Sequence, residues 1–175
     1  VASTLRFSEH WANKIEGLMT DLADLGVPNT RAGEIVRGTR RLLGGLGFFG
    51  VTEMSLANNR RADIAVIGLS GEIWIVEVKS SIADFRADSK WPEYLPYCDQ
   101  LYFAVANDFP HDLIPDETGL IVADAFGGAV VRAAPEDKLS AARRKAVTLR
   151  LARLAAMRLT QSADTGWTAA PGLLT

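Results

Sequence analysis

Residues 60–81 read RRADIAVIGLSGEIWIVEVKSS, and this stretch decides the architecture. Ala62–Ile67 and Glu72–Lys79 are runs rich in Ile, Val and Trp, and Gly68–Gly71 supplies the connection. Two such runs joined by a short glycine-containing link predict an antiparallel hairpin. In the second run Ile73, Trp74, Ile75, Val76 and Val78 surround Glu77 and Lys79. A strand apolar on both faces is covered on both sides. A carboxylate and an ammonium buried there are costly unless they are paired or bind a metal.

Side chains alternate along a strand, so Glu77 and Lys79 share a face. Asp63 lies on the preceding strand. If paired residue numbers sum to 140, Asp63 stands opposite Glu77, with Ala65–Ile75 and Ile67–Ile73 on the same face. That register requires an odd connection, such as Leu69-Ser70-Gly71, or a bulge. A two-residue turn would send Asp63 to the opposite face. Two carboxylates at one point repel unless a cation intervenes. Mg²⁺ suits such a pair because it prefers carboxylate oxygen and retained water. It can polarise a phosphoryl oxygen and activate bound water, while Lys79 steadies developing negative charge. Asp63, Glu77 and Lys79 therefore read as a phosphodiester-hydrolysis site. The bland alternative is a salt-bridged sheet edge.

Working outward, Ser8–Leu25 reads as an amphipathic helix, with Phe7, Trp11, Ile15, Leu18, Leu22 and Leu25 at helical spacing. A second helix is expected from Thr30 to about Leu43, then a strand over Phe48–Leu56 and a turn at Asn58-Asn59. Beyond the hairpin, Asp84–Cys98 reads as partly helical, with Pro96 interrupting. Leu101–Ala106, Gly119–Ala123 and Ala129–Ala133 read as strands, with a turn at Gly127-Gly128 before the last. A long C-terminal helix spans Glu136 to about Thr160. Residues 1–160 are expected to form a single domain, and 161–175 a disordered tail. This order predicts an α/β fold with a mixed central sheet flanked by helices.

Bulk properties exclude several classes. No apolar run in the 175 residues approaches the roughly 20 needed to span a bilayer. No secretory leader is visible. Cys98 is the only cysteine, which fits a reducing cytoplasm and excludes an internal disulfide. His10 and His111 are far apart, without ligand spacing, which argues against histidine-built zinc sites and a Ser-His-Asp arrangement. The net charge of −2 is unevenly spread. Arg143, Arg144, Lys145, Arg150, Arg153 and Arg158 occupy a segment, Ala141–Thr160, that has no acidic residue, whereas residues 1–140 carry 13 basic and 20 acidic side chains. That basic helix either touches a polyanion or, in the bland reading, is a solvated face or a helix docked on the acidic body.

With Asp on the second strand and Glu-x-Lys on the third, the chain resembles the PD-(D/E)xK nuclease superfamily. The stretches RRADIAVI, GEIWIVEVKSS, ADFRADSKWPEYLPYCDQLYFAV and ETGLIVAD resemble, more narrowly, the MmcB family of bacterial DNA repair proteins, over about Arg31–Ala134. The resemblance implies a restriction-endonuclease-like fold, a role in DNA repair, and DNA and other repair proteins as partners. It implies Mg²⁺ or Mn²⁺ held by Asp63, Glu77 and the Val78 carbonyl, with Lys79 catalytic. Glu34 matches the acidic residue that often completes such sites from the helix before the sheet. Ala62 replaces the proline common before the aspartate, which removes no ligand. A catalytically weak DNA-binding or scaffold protein of the same fold is the alternative.

Several neighbours carry two readings each. Glu34 either serves the site or pairs with Arg37 or Arg41 on its helix. Glu53 is either a further acidic group near Asp63 or a paired surface charge. Arg60, Arg61 and Ser80 are candidates for phosphate contact or plain turn and strand-end residues. Lys90, Trp91, Tyr94 and Tyr97 form a basic–aromatic cluster that either stacks bases or belongs to the core.

Overall fold

The computed structural model describes residues 30–164 and Gly166. The amphipathic segment Ser8–Leu25 lies outside the described residues, as does most of the expected tail. The elements are α1 (Arg31–Gly45), β1 (Phe49–Ser55), β2 (Arg61–Ile67), β3 (Ile73–Lys79), α2 (Ile82–Ala87), a 3₁₀ helix (Trp91–Tyr97), β4 (Gln100–Val105), a 3₁₀ turn (His111–Leu113), β5 (Gly119–Ala123), β6 (Gly128–Arg132) and α3 (Ala141–Ala163). The six strands form one mixed sheet in the order β1-β2-β3-β4-β5-β6. β1, β2 and β3 run antiparallel, β3–β4 and β4–β5 are parallel, and β6 returns antiparallel. This is the expected α/β architecture.

The hairpin has the register the sequence demands. Ile64 pairs with Val76, Ala65 with Ile75 and Ile67 with Ile73. The connection is Leu69-Ser70-Gly71, closed by the Gly68 N–H on the Glu72 carbonyl at 2.9 Å. Gly71 has φ 85°, which glycine adopts without steric cost.

Helices cover both faces. α1, capped by Thr30, packs Ile35 and Leu43 with Ile64, Val66, Val76, Val78, Tyr102 and Ile121. α3 packs Val147, Leu151 and Leu154 on the other face, with Ala65, Ile73, Ile75, Leu101 and the 3₁₀-helix tyrosines. β4 is buried on both faces, as a parallel strand inside such a sandwich must be.

α3 starts later than its periodicity suggests. Asp137 and Leu139 donate their N–H groups to the Asp99 carbonyl and carboxylate, and these tethers hold 136–139 out of the helix. Ser140 then caps α3 through the Arg143 N–H. Asp99 is the buried hub. It accepts from Ile73 N–H at 2.7 Å and forms a two-pronged pair with Arg144 at 2.6 and 2.7 Å. Arg143 stacks on Tyr97, Arg150 donates to the Ser55 carbonyl and Arg158 to Thr52. Four of the six basic residues thus dock the helix on the acidic body; Lys145 and Arg153 stay exposed.

Candidate functional site

The β2–β3 ladder stops at Ile64↔Val76, one rung short of the predicted acidic pair. Side chains take over the missing rung. The Val78 N–H donates to Asp63 Oδ2 at 2.8 Å, and the Asp63 N–H donates to Glu77 Oε1 at 3.3 Å. Asp63 and Glu77 thus converge in the gap between two parting strands. A strand residue aims its N–H and C=O at the same side, so the Val78 carbonyl also faces this gap.

Glu77 and Lys79 are buried, at 2% and 5% exposure. Burial, and then the charge of Asp63, push the Glu77 carboxyl up to about 8. Burial also raises Asp63, against the opposing pull of the Val78 N–H and Lys79. Both shifts express one fact: two largely desolvated carboxylates lie close together, and the Lys79 charge does not offset their burial.

The Lys79 ammonium is bound elsewhere. Its Nζ lies 2.6 Å from Asp88 Oδ2, at the C-terminal end of α2. Burial would lower its pKa, but Asp88, Glu77 and Asp84 outweigh that and raise it. Asp88 is held below the usual carboxylate range: desolvation opposes this, and Lys79 with the Lys90 N–H overcomes it. Asp88 was not among the sequence candidates. The signal was available, because a buried lysine requires a counter-charge, and Asp84 and Asp88 follow within ten residues of it.

The other candidates distribute differently. Tyr94 is buried, and its hydroxyl donates to the Arg61 carbonyl at 3.1 Å, so it walls the site and offers no face for base stacking. Tyr97 is likewise core. Arg60 forms a two-pronged pair with Glu93, both contacts at 2.7 Å, and Arg61 pairs with Glu53. Those partners compete with phosphate for both arginines. The Ser80 hydroxyl and N–H both donate to Asp84, a helix-start role. Lys90 is exposed beside Asp88, to which its backbone N–H donates. Glu34 is exposed on α1, whose apolar residues pack on the face opposite Glu77, and it makes no hydrogen bond or ion pair with Asp63, Glu77 or Lys79. The structure does not bring it into the cluster.

Among the described residues, no group of three or more His, Cys, Asp or Glu side chains is arranged to hold a metal ion. The donor set in the gap is two carboxylates and one carbonyl. That fits Mg²⁺, which usually takes one or two carboxylates and keeps several waters. The raised carboxyl pKa values fit as well, since a divalent cation supplies the charge the pair lacks.

Comparison with known proteins places the chain in a repair family. Residues 19–166 match the family described as DNA repair protein MmcB-like, and the chain belongs to it. A solved structure from Silicibacter pomeroyi, of a protein of unknown function, is 43% identical and superposes with a TM-score of 0.77, covering 80% of this chain and 96% of its own. A search of curated proteins finds no significant match. No helix among the described residues is long and apolar enough to cross a membrane.

Proposed function

We propose that this protein hydrolyses DNA phosphodiester bonds in repair, using a PD-(D/E)xK-type site that holds Mg²⁺ or Mn²⁺. One observation carries the reading: Asp63 and Glu77 meet where β2 and β3 part, and Lys79 stands two residues along the same strand. Asp63, Glu77 and the Val78 carbonyl would hold the cation, which when bound supplies Lewis-acid polarisation of the phosphoryl oxygen and an activated water. Glu77 and Asp63 must both be ionised for this, and their separation across the gap sets where the phosphate sits. Lys79 exchanges Asp88 for a phosphate oxygen and stabilises the charge that develops as the water oxygen bonds to phosphorus and the leaving oxygen departs.

A second reading is a DNA-binding or scaffold protein with little catalysis. It is favoured by the short Lys79–Asp88 pair and by the lack of a three-ligand cluster among the described residues. The test is incubation with single-stranded, nicked and branched DNA in Mn²⁺ or Mg²⁺. Products that fall at least 100-fold in Lys79→Ala and in Asp63→Ala support the nuclease. DNA binding without products from the wild type assigns the scaffold role.

A further inference from the structure

Glu53 lies in the middle of β1 with φ 53°, a left-handed backbone that is uncommon for a non-glycine residue. Thr52↔Ile64 and Met54↔Ala62 pair on either side of it, but the Glu53–Asp63 rung between them is not formed. The sense of the ladder reverses across that rung. Towards the β2–β3 turn, the Gly68 N–H bonds to the Glu72 carbonyl, so even-numbered β2 residues face β3. Beyond Glu53, the Leu56 N–H bonds to the Arg60 carbonyl, so even-numbered residues there face β1. Core packing shows the same reversal, because Val51 and Met54, three residues apart, enter one cluster. Without it, the Asp63 N–H would point at β1. With it, the Asp63 N–H points at β3 and meets Glu77 Oε1.

We infer that Glu53 is a positioning residue whose left-handed backbone, rather than its carboxylate, turns Asp63 towards Glu77 and so assembles the acidic pair. Backbone strain beside a site persists where the surrounding structure enforces it. Here β1 is held by its regular pairing at Phe49–Thr52 and again at Met54–Ser55. The Glu53 carboxylate pairs with Arg61, and its charge still reaches Asp63 and raises that carboxyl, so the variants below separate side chain from backbone. The inference rests on the metal-site reading only for its second readout below.

Glu53→Gly keeps the left-handed backbone and deletes the carboxylate. Glu53→Val and Glu53→Thr favour a regular strand, because β-branched residues are outliers at positive φ. Two β-branched variants are used so that one that fails to fold leaves the other; circular dichroism checks each. The first readout needs no metal: the Asp63 amide-proton shift is compared with and without Glu77→Ala, which removes the acceptor, in each background. The expected result is a clear response in wild type and Glu53→Gly, and none in Glu53→Val or Glu53→Thr. The second readout is Mg²⁺ affinity by calorimetry, expected within threefold of wild type for Glu53→Gly and weakened at least tenfold in the β-branched variants. Loss of the amide response in Glu53→Gly would overturn the inference by making the carboxylate essential. Its retention in the β-branched variants would overturn it by making the backbone irrelevant. A wild type that binds no Mg²⁺ refutes the metal reading instead, and the amide readout still judges Glu53.

Discussion

Replacing Glu77 with glutamine is expected to stabilise the metal-free protein at alkaline pH while destroying its site. In the unfolded chain this carboxyl ionises near 4.5, and in the fold near 8. Between those values the folded state holds a proton that the unfolded state has released. Stability contributed by the neutral carboxyl is therefore present at pH 4–5 and lost as pH rises towards 8. Each pH unit crossed is worth about 1.4 kcal/mol, so the ceiling is about 5 kcal/mol. Asp63 shares the titration, and about 2–5 kcal/mol is expected at pH 8. Glutamine removes the ionisation yet keeps an oxygen for the Asp63 N–H. The assay is urea unfolding of both proteins with a chelator present at pH 5, 6, 7 and 8. The stability difference between variant and wild type is expected to grow in favour of Glu77→Gln with pH, while groups not coupled to the Asp63–Glu77 pair cancel. A difference that stays constant from pH 5 to 8 would refute the argument that Glu77 is desolvated against Asp63.

Two further predictions concern what holds the site in place. Asp99→Ala removes the acceptor for two backbone N–H groups and leaves the partly exposed Arg144 guanidinium with only the Gly71 carbonyl, so a loss of about 2–4 kcal/mol is expected by denaturant unfolding; a loss under 1 kcal/mol would remove Asp99 as the hub. Gly50→Ala would put a Cβ 1.9 Å from the Ala65 carbonyl oxygen on the neighbouring strand, so β1 must shift. A cost of about 1–3 kcal/mol in thermal or denaturant unfolding is expected, and an unchanged midpoint would mean that β1 yields freely.

The hairpin was legible because its information is local. Alternation, a glycine at the turn and the apolar wall around Glu77 specify two strands and their register, and the structure has that register at Ala65–Ile75. Strict alternation also predicts that Asp63 meets Glu77, but there the reason differs. The ladder reverses at Glu53, and the two carboxyl groups meet through backbone hydrogen bonds in a gap. No periodicity encodes such a reversal, since it depends on one residue's φ inside a three-strand context.

Residue types and strand spacing alone named Asp63, Glu77 and Lys79, since charges inside an apolar strand stand out in one dimension. Partners separated by loops required the fold. Asp88 reaches Lys79 only because α2 turns back over the end of β3, and Arg60 and Arg61 meet Glu93 and Glu53 only once packed. Glu34 is separated from the cluster by the sheet itself, because a helix can cover either face and its sequence does not say which. Chain order and pattern specify which groups are costly to bury; only three-dimensional packing selects the opposite charge or donor that makes each burial tolerable.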